Sequence, residues 1–87
     1  MLRIQRSGNG EVVFTLSGQM DEEAIAELET FMSSESNSGP ITLDLGNLTL
    51  VNESAITFFV RCEANGFTLK NCPAYVREWI NALQRES

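Results

Sequence analysis

The chain has 87 residues, a hydrophobic fraction of 43%, a charged fraction of 21% and a net charge of −6 at pH 7. Such values predict one ordinary globular domain over residues 1–87, burying roughly 60% of its unfolded surface, and exclude a second domain or a disordered chain. No run approaches the roughly 20 apolar residues of a membrane span. No apolar leader follows Met1, which predicts a cytoplasmic protein without direct membrane insertion.

Histidine is absent, which removes the usual residue of zinc sites and of acid–base catalysis, so neither a metal nor a cofactor is expected. The charge is unevenly laid out: residues 7–60 hold nine acids and no Lys or Arg, while all six basic residues lie outside that span. Phosphate binding needs clustered cations, so no nucleic-acid partner is expected. An acidic middle suits either a basic protein partner or a merely solvated face.

In chain order, Leu2 to Arg6 and Glu11 to Ser17 alternate like strands, and the Asn9-Gly10 pair between them suits a hairpin turn with positive φ. After Gly18 the period changes from two to 3.6. Asp21 caps a helix with Glu22 and Glu23 in its first turn, Ile25, Leu28 and Met32 on its apolar face and Phe31 beside it. Residues 33–40 form a polar loop. Ile41 to Leu45 is a buried strand, parallel to the second because a helical crossover joins them.

A short turn then leads to Asn52, whose side-chain oxygen caps a helix from about Glu53 to Asn65, stopped by Gly66. Glu53 and Ser54 thereby stand where a helix begins at the open end of a strand, a position often used for recognition in open α/β sheets. Phe67 to Lys70 is a short strand. Pro73, in the first turn, opens a last helix with Val76, Trp79, Ile80 and Leu83 at i, i+3, i+4 and i+7, which is a core stripe. The fold expected is α/β, a mixed four-stranded sheet (N-terminal hairpin plus parallel strands) with three helices in the order β-β-α-β-α-β-α.

The run Asp44-Leu-Gly-Asn-Leu-Thr-Leu-Val-Asn-Glu-Ser-Ala-Ile56, preceded by a hairpin and an Asp-capped helix and followed by Gly66-Phe-Thr-Leu-Lys-Asn-Cys-Pro73, resembles the STAS domain of anti-sigma factor antagonists. That family's signature reads roughly Asp-Leu-Ser-x-Val-x-x-Ile-Asp-Ser-Ser-Gly-Leu, with a serine phosphorylated by the partner kinase. Here Asp44 and Leu45 are kept, Gly46 replaces a small polar residue, and Asn52-Glu53-Ser54-Ala55 stands in place of Asp-Ser-Ser-Gly. The resemblance implies a bacterial signalling module that is not an enzyme. Ser54 is the phosphorylation candidate, and Asn52, Glu53 and Ser54 form the partner contact. The partner implied is an anti-sigma factor or similar kinase, or a transporter subunit that this chain serves as an accessory.

A phosphate on Ser54 would add about −1.5 to −2 charges at a helix N-terminus. Asn52 and Glu53 depart from the pattern, however, and Glu53 supplies a fixed negative charge; a cap or constitutive contact surface is the competing reading. Asp44, a carboxylate expected at a strand end, has no His, Lys or metal cluster near it in sequence and reads as a turn cap. Two other functions stay open. One is a small structural homo-oligomer, such as a homodimer paired through the edge strand Phe67 to Lys70. The other is a thiol enzyme at Cys72, where a helix start can lower a thiol pKa, although no basic partner is evident; the competing reading for Cys72 is a small residue filling space. Cys62 reads as core.

Overall fold

The computed structural model describes residues 2–8, 10–35 and 40–86. Its elements are β1 (Leu2–Ser7), β2 (Val12–Met20), α1 (Glu22–Ser34), β3 (Ile41–Val51), α2 (Glu53–Ala64), β4 (Thr68–Lys70) and α3 (Ala74–Glu86). The expected fold class and element order are those observed. The sheet order is β1-β2-β3-β4, with β1 antiparallel to β2 and the other pairs parallel. Asn9 of the expected hairpin turn and residues 36–39 of the polar loop lie outside the described residues.

Alternation along the strands decides which face is covered. Val12, Phe14 and Leu16 of β2 and Ile41, Leu43 and Leu45 of β3 are buried in one cluster with Ala24 and Leu28 of α1, Ala55, Ile56 and Phe59 of α2, and Val76 and Ile80 of α3. Both parallel crossovers step the same way along the sheet, so right-handed connections set α1 and α2 on one face. The edge-to-face contact of Phe14 with Phe31, 6.3 Å between centroids, marks that face. The register places Gln5, Thr15, Asp44 and Lys70 in one row on the opposite, polar face. Trp79 lies partly buried against the core, as its helical spacing predicts.

The largest departure from expectation is β3. It was expected to end at Leu45 with a short turn before Asn52; it instead continues to Val51, and β2 runs on to Met20 rather than Ser17. The two extensions pair with each other. Between Thr15↔Asp44 and Ser17↔Asn47, and again between Gly18↔Leu48 and Gln19↔Leu50, β3 takes one more residue than β2. Two β-bulges therefore absorb the excess and break the alternation, which makes this stretch look like a turn in sequence. Gly18 sits at the second irregularity with φ of 100°, a conformation that glycine adopts without steric cost.

Smaller corrections follow from packing. Phe31, expected beside the apolar face of α1, is 41% exposed, and Ala24 takes the buried place next to Leu28. Pro73 precedes α3 rather than lying in its first turn; its carbonyl accepts from the Arg77 amide at 3.0 Å, so it acts as the capping residue.

Candidate functional site

Because β2 and β3 are parallel and end together at the Met20↔Val51 pair, the helices that follow them start side by side at the carboxyl edge of the sheet. Each start is capped in the same way. The Asp21 carboxylate accepts from the Ala24 amide at 2.9 Å, and the Asn52 amide oxygen accepts from the Ala55 amide at 2.9 Å. The backbone N–H of Asn52 donates in turn to the Met20 carbonyl at 3.4 Å, tying the two strand ends together.

Asn52, Glu53 and Ser54, expected to form one contact surface, are contiguous here, with Glu53 exposed and Ser54 half-buried. The Ser54 hydroxyl donates to Glu22 Oε1 at 3.1 Å, linking the first turn of α2 to the first turn of α1. Glu22 was not singled out in sequence as Ser54's partner. The signal was present: two caps, Asp21 and Asn52, each ending a strand of a parallel pair, must lie at one edge.

This edge is acidic. Asp21, Glu22, Glu23 and Glu53 gather at two positive helix ends, which favour carboxylates, and none of the four is in an ion pair among the described residues. Beside them a hollow of about 210 Å³ is lined by Leu2, Asp21, Glu23, Ala24 and Glu27. Its walls suit the alkyl stem and charged head of a Lys or Arg side chain.

Asp44 is not at a strand end. It is inside β3, at the point where the pairing with β4 stops. Its Oδ1 accepts from the Gly46 amide at 3.0 Å, and the Asn71 side-chain amide donates to both carboxylate oxygens at 3.3 and 3.2 Å. The turn-capping role read from sequence therefore extends to Asn71, which was not foreseen and which holds φ of 55°. Gly46 lets the two approach closely, since a Cβ there would lie 3.1 Å from the Asn71 Cβ and the neighbour would have to give by a few tenths of an ångström.

Cys72 is partly buried against the core, in keeping with a space-filling role rather than with the alternative of a reactive thiol. Burial raises its thiol pKa; the positive charge of nearby Arg77 pulls the other way and Glu63 adds to the rise. The basic neighbour missing from the sequence reading is thus present, yet its guanidinium is engaged by Glu63 through bonds of 3.0 and 3.1 Å. Cys62 is buried, with its thiol pushed up to about 12 by desolvation, and both cysteines are free. Elevated thiols are poor nucleophiles at neutral pH. Cys62 also lines an open cleft of about 390 Å³ between the ends of α1 and α2, with Glu29 and Arg61 among its lining residues.

No family model and no curated protein matches the chain. Among solved structures it is similar to a crystal structure of Mglu, with 19% identity and a TM-score of 0.51, over 78% of this chain and 18% of that one. The likeness is one of fold alone. This chain thus spans a small part of that protein's length. No helix among the described residues is long and apolar enough to cross a membrane.

Proposed function

We propose that this chain is a non-catalytic, STAS-type regulatory module that binds a basic surface of a protein partner through the paired starts of α1 and α2. The observation that carries this reading is the Ser54–Glu22 bond joining two capped helix starts within a group of carboxylates that have no ion-pair partner among the described residues. An anti-sigma-type kinase or a transporter subunit in the cytoplasm is the partner the resemblance favours.

The same bond argues for a constitutive contact over a phosphoswitch. Ser54 already spends its hydroxyl on Glu22, and a phosphate there would sit against that carboxylate without a cation among the first-turn residues of either helix. Self-association through β4 has less support, since that strand is three residues long.

The test is capture of partners from the source lysate by the wild type, Glu53→Lys and Ser54→Asp, with the phosphorylation state of Ser54 read by mass spectrometry in the same samples. The reading requires a specific partner that Glu53→Lys loses, with Ser54 unmodified in the captured complex. Indistinguishable captured sets from all three proteins would end it.

A further inference from the structure

β3 is paired on one side along its whole length and on the other over only three residues. Toward β2 its register runs from Ile41 to Val51; toward β4 it runs from Thr42 to Asp44. Asn71 is what stops the second ladder. It follows Lys70 at φ of 55°, anchors its amide on Asp44 and packs against Gly46, and the chain then turns to the helical side, where Cys72 meets the core. Among the described residues no strand lies beside β3 beyond that point, and Asn47, Thr49 and Leu50 are exposed, Leu50 by 57%.

An unpaired strand edge is a template for another strand. The vacant line alongside Asn47–Val51 has room for about five extended residues, roughly 17 Å. We infer that this edge of β3 receives an extended, basic segment of a protein partner, added in line with β4 so that its far end reaches Glu53. The inference rests on the proposed partner-binding role and specifies how the partner is held. Charge selects the occupant: Glu53 stands just past the end of β3, so a basic segment suits this line, whereas a second copy presenting the same edge would bring its own Glu53 to it. A copy presenting its basic β1 edge is the competing occupant, which the β1 and self-pairing readouts of the experiment detect. An apolar side chain of the added strand would cover Leu50 as a cross-strand neighbour.

The experiment uses the full chain labelled with nitrogen-15 and the acetylated, amidated peptide Lys-Val-Leu-Val-Lys. Its N-methylated form, which has lost alternate backbone donors, is the control. With free peptide at about ten times its Kd, hydrogen exchange at those amides among Asn47, Thr49 and Leu50 that face away from β2 should slow by about tenfold. The N-methylated peptide should leave exchange there unchanged, and Glu53→Lys should weaken binding of the parent peptide at least fivefold. Unchanged exchange at millimolar peptide, equal binding of the N-methylated form, or shifts gathered on β1 would each overturn the inference. So would protection that grows with protein concentration in the absence of peptide, since that is self-pairing. If Glu53→Lys abolishes partner capture while the partner leaves this edge unprotected, the contact surface stands and strand addition alone falls.

Discussion

Asp44, Gly46 and Asn71 behave as one unit, because a single carboxylate receives the Gly46 amide and both contacts of the Asn71 amide. Asp44→Ala and Asn71→Ala should each cost about 1 kcal/mol in urea unfolding. The double variant should cost less than the sum, since either change alone already breaks the shared bonds. Asn71→Gly should lose less than Asn71→Ala, because glycine relieves the positive φ while alanine keeps it strained. Equal losses for the two Asn71 variants would show that the backbone conformation contributes nothing.

The two thiols set a pH dependence whose sign follows from burial. Cys62 holds its proton in the folded state up to about 12, whereas its ordinary value is 9.0. A raised folded pKa contributes stability that is complete below the unfolded value and is lost as pH rises from there through the folded value. Cys72 is displaced in the same direction. The stability advantage of the wild type over Cys62→Ala should therefore narrow between pH 9 and 12. Urea midpoints measured at stepped pH check it, and a constant difference would contradict the buried neutral thiol. A disulfide-exchange reagent should modify Cys72 before Cys62, because Cys62 is the more deeply buried.

At the scale of elements, the join of β3 to α2 decides how the edge is built, and Asn52 holds it. Asn52→Ala should lose about 1 kcal/mol as the cap is removed. Asn52→Asp keeps an acceptor for the Ala55 amide and should stay within a few tenths of a kcal/mol of the wild type, despite the carboxylates around it. Thermal unfolding of the three proteins side by side separates the outcomes. The two side-chain caps and the helices were legible in the sequence because they follow from local chemistry: for α1 and α2 an acceptor side chain, an acidic first turn and a 3.6-residue period, and for α3 the period alone, behind a proline. What was not legible is non-local. The extension of β3 to Val51 exists because the end of β2 is there to pair with it, and the bulges that match the two strands erase the alternation by which a strand is read. The Ser54–Glu22 and Asp44–Asn71 bonds span 32 and 27 residues, distances over which spacing carries no signal.

At the scale of the whole molecule, charge and size act together. The chain measures 34 × 26 × 21 Å and carries −6, with its acids concentrated between residues 7 and 60. The ion pairs Arg6–Glu35 and Arg77–Glu63 are partly exposed and contribute little to stability. At about 0.01 M ionic strength the screening length is about 30 Å, so every carboxylate feels the others across the fold; at about 0.15 M it is about 8 Å and only neighbours interact. Salt therefore relieves more repulsion than it weakens attraction, and the melting temperature should rise between those two concentrations. Association with a basic partner should move the other way, its on-rate falling over the same range as steering is screened. A protein whose stability rises with salt while its partner binding weakens would match a carboxylate edge built for contact. If Glu53→Lys steepened the loss of on-rate with salt instead of flattening it, Glu53 would have no part in that steering.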